Sequence, residues 1–510
     1  MPPDILSGGE GMKYLCTREE MQQIDAYSIE KIGIPGLVLM EKAAMAVRDE
    51  ITNRFSSDSS VLIVVEKGNN GGDGLALGRL LMADGYTVTF YEIGGVRHAT
   101  DSYEVQKNIL LCLGAEFAEE LPEKNYHIYV DAIFGVGLKR EVGGVHKEVI
   151  DTLNEREGYK IAVDVPSGVD ASTGQVAGTA FVANLTVTFG LGKVGLVLYP
   201  GADMAGEVVV KDIGFPQRAV EMVCPSVVTF EKDDLRLLPL RKARSNKGTY
   251  GRVLLIAGSV NMAGAAYLCA LAAYKSGCGL VRIFTCEENR VIMQQLIPEA
   301  IMTTYSSVEE ALSLLPEALS WANVAAIGPG LSVSESSEKL LREVLRQGDI
   351  PLVVDADAIN TMAMLKKDRS FLRLYREYDG GMILTPHLME MSRLTGMSVG
   401  DIQERLVETA RNTADRSHIY VLKDARTVVS DGAEPSYINM SGNHGMAVGG
   451  SGDILTGIIA GFLAGGLSLR DAARLGVYCH GLAGDEAVKE CGYYGLSAKE
   501  LPQFLSKVIH

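Results

Sequence analysis

At 510 residues the chain exceeds what one hydrophobic core serves, so two or more domains are predicted. Apolar residues at 47%, charged residues at 22% and 56 glycines exclude a disordered or fibrous chain and fit a compact α/β enzyme. A formal net charge of −16 argues against nucleic acid or an anionic membrane surface as partner, and no stretch approaches the roughly eighteen uninterrupted apolar residues that span a bilayer.

The opening MPPDILSGGEGMKYLC lacks the charged start and apolar stretch of a signal peptide. The eight cysteines are scattered without a CxxC pair, which predicts a reduced, cytoplasmic setting. From Thr17 the pattern predicts two helices broken by Gly33, Pro35 and Gly36. Val61 to Val65 is a β-branched run of the kind buried in a parallel sheet, and it leads into GNNGGDG, Gly68 to Gly74, with the helix LALGRLLMADG after it. The glycine spacing matches neither a dinucleotide GxGxxG nor a Walker loop.

Strands are then predicted at TVTFYEI, YHIYVDAIFGVG, YKIAVDVPSGVD and NLTVTFG, with helical stretches between several of them, so a doubly wound sheet is the economical topology. Ligands gather at the carboxyl ends of such strands. Loops converging there bring Asn70, Asp73, Asp131, Asp164, Ser167 and Lys193 to one rim. Each Asp taken singly is also read as a helix cap or turn former.

Residues Gln217 to Glu231 carry Cys224-Pro225-Ser226 between two patterns, which divides the chain into domains at 1–220 and 233–510 with a linker at 221–232. The second domain repeats the parallel α/β pattern: RVLLIAGS, LVRIFT, VAAIGPGLS, LVVDADAIN, MILTPH and IYVLKDARTVVSDG each end a strand in glycine or polar residues. Gly330, His387 and Lys423 to Thr427 share its carboxyl-end rim, although a single His after a strand also serves as a structural hydrogen bonder. No HExxH or HxH spacing points to zinc.

The most informative stretch is Ala447-Val448-Gly449-Gly450-Ser451-Gly452-Asp453 before the apolar helix ILTGIIAGFLAGG. Glycines at a helix N-terminus let the free N–H groups approach an anion, and Asp453 beside them suits a base that deprotonates a hydroxyl during phosphoryl transfer. The alternative is that Asp453 only caps the helix.

Two resemblances follow. LMEKAA, GNNGGDG, DAIFGVGLKREVGG, DVPSGVDASTG, NLTVTFGLGKVG and DIGFP lie in the order found in the NAD(P)HX epimerase family and cover almost all of residues 11 to 216. This implies a Rossmann-like domain, a K⁺ ion held by Asn70, Asp131 and Ser167, and a substrate site lined by Asn69, Asn70, Gly71, Gly72, Asp73, Gly135, Val136, Gly137, Leu138, Lys139, Arg140, Glu141 and Asp164. Asp164 and Lys193 are the candidates for proton transfer. KGTYGRVLLIAGS, GPGL, DADAIN, LTPH, LKDARTVV and GMAVGGSGDILTGIIAGFLAGG resemble the ribokinase-like NAD(P)HX dehydratase family over nearly all of 233 to 510. Carried over, Gly330, His387 and the base Asp453 contact the hydrated nicotinamide, while Lys423, Asp424, Ala425, Arg426, Thr427 and Gly452 hold ADP or ATP with Mg²⁺.

This chain departs from the families' usual residues at Lys42 and Ala44 in LMEKAA, at Leu388 and Met389 in TPHLMEM, and at His444 in NHGMA. Together the resemblances imply a bifunctional repair enzyme acting on NADHX and NADPHX. The alternative is a small-molecule kinase with a regulatory or scaffolding N-terminal ligand-binding domain. Gly-Gly and Ala-rich helices pack closely within one chain or between copies, which leaves a homo-oligomer open.

Overall fold

A computed structural model of the chain describes residues 12–94, 98–138 and 140–509. They form two compact units: one is Tyr14–Val227, and the other begins at Val228 and takes in Lys13. The stretch 221–232, expected as a linker, carries the end of the helix Gln217–Val223 and the strand Val227–Thr229. Its Val227, Val228 and Phe230 are buried, so these apolar residues are packed rather than left in a solvated tether.

In the first unit the strands of the main sheet are β1 (Ser60–Val65), β2 (Thr87–Glu92), β3 (Phe117–Ala118), β4 (Ile128–Ala132), β5 (Tyr159–Val163), β6 (Leu185–Phe189) and β7 (Glu207–Lys211). They pair in parallel in the order β3-β2-β1-β4-β5-β6-β7, the doubly wound arrangement expected from the alternating pattern. Both faces are covered. Ile63 and Val65 pack with helices α2 (Gly36–Thr52) and α3 (Asn69–Ala83), while Leu62 and Val64 join the opposite core with Ile150 and Leu153. Ahead of them, helix α1 (Arg18–Ala26) starts in a capping box between Thr17 and Glu20 and buries Met21 and Ile24.

One expectation is corrected. The glycines of GNNGGDG were read as a loop before a helix, but α3 already begins at Asn69, with Gly68 as its N-cap. The reason is close packing of helix on strand. A Cβ on Gly71 would lie 1.9 Å from the Glu66 carbonyl oxygen, and one on Gly78 would lie 2.2 Å from the Phe90 ring. Gly78→Ala is therefore expected to destabilise this unit by about 1–3 kcal/mol, the usual cost of overpacking, measurable by urea unfolding.

The second unit contains β8 (Arg252–Ile256), β9 (Leu280–Cys286), β10 (Ile301–Tyr305), β11 (Val324–Ile327), β12 (Leu352–Val354), β13 (Met382–Leu384), β14 (His418–Leu422), β15 (Val428–Ser430) and β16 (Ser436–Ile438). Their order is β10-β9-β8-β11-β12-β13-β14-β15-β16, parallel up to β14 and antiparallel beyond it. Helix α4 (Ala263–Lys275) packs against helix α6 (Ser451–Ala464), with Gly457 set against the Cys269 carbonyl and Gly461 against Ser276. Between them in sequence lies the short helix α5 (Leu388–Thr395) at the end of β13. Among the described residues no helix is long and apolar enough to cross a membrane.

Candidate active sites

The carboxyl ends of β1, β4 and β5 open onto a cavity of about 390 Å³ in the first unit. Asn69, Asn70, Asp73, Gly135, Val136, Gly137, Asp164 and Lys193 line it. Gly71 and Gly72 do not line it, because they are spent on packing α3 against Glu66 and Met40. Leu138, Arg140 and Glu141 border a neighbouring depression with Val142, Gly143 and His146, and the Leu138 carbonyl accepts from Arg18 Nη1. Lys139 lies outside the described residues. Lys42 is exposed with its ammonium beside Gly214, while Met40 and Ala43 on the same helix line the cavity.

Sequence reasoning missed the wall supplied by α1. Gln22 and Asp25 reach the cavity, and Ile29 follows from the next turns. Their three- and four-residue spacing puts them on one face beside the buried stripe Met21, Ile24 and Ser28. That polar edge was the available signal.

Asp164 sits at φ +68°, a backbone region rarely used by a non-glycine residue, and its strain is concentrated at this site. Its Oδ1 accepts from Lys193 Nζ at 2.7 Å and from Thr188 Oγ1 at 3.0 Å. Lys193 is 1% exposed, and its ammonium also donates to Thr188 Oγ1 at 2.8 Å and the Phe189 carbonyl at 2.7 Å. An ammonium has three protons, so all three are engaged. Lys193 is therefore the ion-pair partner of Asp164, with its ammonium turned to that carboxylate. Asp73 has a carboxyl raised well above the usual range by burial and by the charges of Asp164 and Asp25, and Asp25 is raised by burial and Asp164.

Asp131 and Ser167 are fully buried and do not line the cavity, although Ser167 Oγ accepts from the N–H of Phe134, which does. Asp131 Oδ1 accepts from the Ser167 hydroxyl at 2.6 Å and from the Ile133 N–H, and its Oδ2 accepts from the Ser167 N–H at 2.7 Å. Burial pushes the Asp131 carboxyl up to about 6 against these hydrogen bonds. The amide nitrogen of Asn70, whose side chain lies near Gly135 at the cavity, is buried without a partner, so turning that amide would replace an unsatisfied donor by an oxygen. Amide, carboxylate and hydroxyl oxygens around an uncompensated buried acid fit a hard monovalent cation.

The second site is built at the ends of β12, β13 and β14 around Asp355. This carboxylate is fully buried; its Oδ1 accepts from Lys423 Nζ at 2.9 Å and from Thr385 Oγ1 at 2.7 Å, and its Oδ2 accepts from Thr456 Oγ1 at 2.7 Å. One residue thus ties three strand ends to α6. Burial alone would raise its carboxyl, but Lys423 and the two hydroxyls outweigh that and hold it below the usual value. Asp355 ended a strand in the sequence reading and was given no role there. Only the fold brings its three partners together.

Gly450, at φ +95°, turns the chain into α6, and no side chain caps this helix. The capping alternative for Asp453 therefore fails. Gly452 faces Lys423, since a Cβ there would lie 3.4 Å from Nζ. Burial first, then the charge of Asp355, push the Asp453 carboxyl up to about 7 despite Lys423. That is the range of a base working near neutrality.

His387 fulfils the structural alternative. Its Nδ1 accepts from the N–H groups of Met389 and Glu390 and caps α5, while Glu390 Oε2 accepts from its own N–H. With Nδ1 an acceptor, the proton of the neutral ring sits on Nε2, which faces Glu390 Oε1 at 3.4 Å. Burial and the neighbouring Lys423 lower the His387 pKa, so the ring is neutral at pH 7. The Lys423 N–H donates to the Pro386 carbonyl, which sets His387 and Lys423 side by side.

Asp424 and Ala425 are exposed in the turn after β14, and Arg426 donates to the Met440 carbonyl at 3.2 Å. The Thr427 carbonyl accepts from the Asn439 N–H. Gly330, at φ +59°, packs against Ala265 and Met262, and two residues on the Ser332 N–H reaches Asp357 Oδ2 at 2.8 Å. His444 stacks on Tyr493 with ring centroids 4.2 Å apart. Among the described residues no group of three or more His, Cys, Asp or Glu side chains forms a metal cage.

Residues 253–507 match the NAD(P)H-hydrate dehydratase family, and residues 36–195 match the family described as YjeF-related protein N-terminus. The chain is 38% identical to the bifunctional NAD(P)H-hydrate repair enzyme Nnr of Moorella thermoacetica, over 97% of this chain and 96% of that one. It is 30% identical to the enzyme of the same name from Escherichia coli, over 96% and 93% of the two chains. Among solved structures, the ADP/ATP-dependent NAD(P)H-hydrate dehydratase of Bacillus subtilis, co-crystallised with ATP and Mg²⁺, is 34% identical with a TM-score of 0.48; the match covers 55% of this chain and 96% of that one. Matched over nearly their whole length, with the two family segments in the two structural units, the relatives settle its kinship: this chain belongs to the family of bifunctional NAD(P)H-hydrate repair enzymes.

Proposed function

We infer that the chain repairs hydrated nicotinamide cofactors in two steps, one in each unit. The first unit interconverts the R and S forms of NADHX and NADPHX at C6. The second dehydrates the S form to NADH or NADPH with ADP or ATP. The observation that carries this reading is the pair of separate sites, each with a carboxylate set for proton transfer: Asp164 against Lys193 and Asp453 against Lys423 and Asp355.

In the first unit Asn70, Asp131 and Ser167 would hold K⁺, which supplies positive charge next to the buried acid. Asp164 would exchange a proton with the C6 hydroxyl. In the second unit the nucleotide enters as its Mg²⁺ complex, a co-substrate whose metal travels on the phosphates. Asp453 takes the proton of the C6 hydroxyl while the terminal phosphoryl group moves onto that oxygen. The N–H groups at the start of α6 and the Lys423 ammonium offset the charge that develops there. Loss of phosphate from C6 and of a proton from C5 then restores the ring double bond.

The test is recovery of reduced nicotinamide absorbance from mixed R and S NADPHX with K⁺, Mg²⁺ and ADP or ATP. Full recovery is expected. Recovery of the S fraction alone, beyond spontaneous epimerisation, contradicts the first half of the reading, and nucleotide use on another alcohol without recovery contradicts the second. Because the base must be ionised, kcat/KM for dehydration is expected to fall about tenfold per pH unit below an acid limb near 7.

A further inference from the structure

The reading above leaves the first unit with a base and no acid. Reversible opening of a ring whose C6 carries both a hydroxyl and N1 needs both: one group to take the hydroxyl proton and one to give a proton to nitrogen. Lys193 turns its three N–H groups to Asp164, Thr188 and Phe189 and is 1% exposed, so it is placed to serve Asp164 rather than the ring nitrogen.

The cavity wall holds three carboxyls, Asp25 from α1, Asp73 from α3 and Asp164 after β5. Among its described lining residues Lys193 is the one cation, and it is committed to Asp164. The other polar side chains among the described lining residues, Gln22, Asn69, Asn70, Thr100 and Ser102, offer no second positively charged side chain to the remaining two acids, and the charge of K⁺ would be matched by Asp131. Like charges crowded into one small cavity cannot all ionise, and Asp73 is the acid that both of the others, Asp164 and Asp25, act on.

We propose that Asp73 is the proton donor of the epimerase half, giving its proton to N1 of the substrate ring as Asp164 takes the proton of the C6 hydroxyl. This rests on the epimerase reading above. The C6–N1 bond breaks with its electron pair going to N1, and the C6–O bond becomes a carbonyl. Asp164 is now protonated and Asp73 ionised. Rotation about C5–C6 offers the other carbonyl face to N1. On closure the C6–N1 bond re-forms, Asp73 recovers the N1 proton and Asp164 returns its proton to the oxygen. No atom or electron is gained or lost over the cycle. Asp25 faces the same cavity and its charge keeps Asp73 protonated, in line with the raised carboxyls of both residues.

The test follows conversion of R to S NADPHX by chromatography without nucleotide, with spontaneous conversion subtracted. Asp73→Asn is expected to slow the full chain at least 100-fold, with its unfolding temperature close to that of wild type. An active wild type whose Asp73→Asn variant keeps more than a third of the rate overturns the assignment alone. A wild type that does not epimerise removes the underlying reading and this proposal with it. If Asp73→Asn does not fold, Asp25→Asn decides. Removing the like charge lets Asp73 lose its proton more easily, so the alkaline limb of kcat moves to lower pH, with about a tenfold loss of rate on that side. An unmoved limb overturns the proposal.

Discussion

Asp453→Asn is expected to lower nucleotide-dependent dehydration of S-NADPHX by about 10²–10⁴-fold, the span that a positioned general base contributes. The amide keeps the shape and the start of α6, so nucleotide affinity should change little. Rate and binding therefore separate. A further consequence concerns pH: the acid limb near 7 belongs to Asp453, whose carboxyl is raised by burial and by Asp355, so the residual activity of the variant should lose that limb. Single-turnover rates at saturating nucleotide, measured between pH 5 and 9, check both statements. A variant that retains the limb assigns it to another group. Glu390, also pushed up to about 7 by burial, is the neighbour to examine.

The second large effect is on stability. Lys423→Met leaves the Asp355 carboxylate buried with only the hydroxyls of Thr385 and Thr456. Stranding one member of a buried ion pair costs about 3–5 kcal/mol, far above the roughly 0–1 kcal/mol of a surface pair. Asp355→Asn/Lys423→Met removes both charges and is expected to recover most of that loss, though not the dehydratase rate. Urea unfolding of wild type, Lys423→Met, Asp355→Asn and the double variant gives the coupling directly. The pH dependence has a definite sign. Asp355 is held below its usual value, so its contribution is full above about pH 4, where an unfolded carboxyl is ionised, and disappears as pH falls through the folded value. A loss in the double variant equal to the sum of the two single losses means that the groups do not act as a pair.

Much of the fold was legible because parallel strands buried on both faces leave β-branched runs such as Val61 to Val65, each followed by glycine or polar residues. Asp453 was legible for a related reason: a glycine run before an apolar helix has few uses, and one carboxylate stands inside it. What stayed hidden depends on contacts between distant residues. The partners of Asp355 come from residues 385, 423 and 456, and no local pattern joins them. Lys193 was visible as a basic residue after a strand, but its saturation by Asp164, Thr188 and Phe189 is a property of the folded site. The glycines of GNNGGDG show a different limit. Their spacing looks like a ligand loop, while the fold uses Gly71 and Gly74 to bring α3 close to the sheet. His387 was read with both a structural and a ligand-contacting role open, and the geometry gives its Nδ1 to the helix cap and leaves Nε2 for another partner.

The central claim is that one chain holds two independent catalytic sites acting in sequence. Its most direct test is complementation with pure R-NADPHX, K⁺, Mg²⁺ and nucleotide, using Asp164→Asn and Asp453→Asn chains separately and mixed. Each variant alone should form no reduced nicotinamide beyond the rate set by spontaneous epimerisation, and the mixture should restore full recovery as the S form diffuses from one site to the other. Recovery at the wild-type rate by either variant alone, or a mixture no better than its components, would contradict the account.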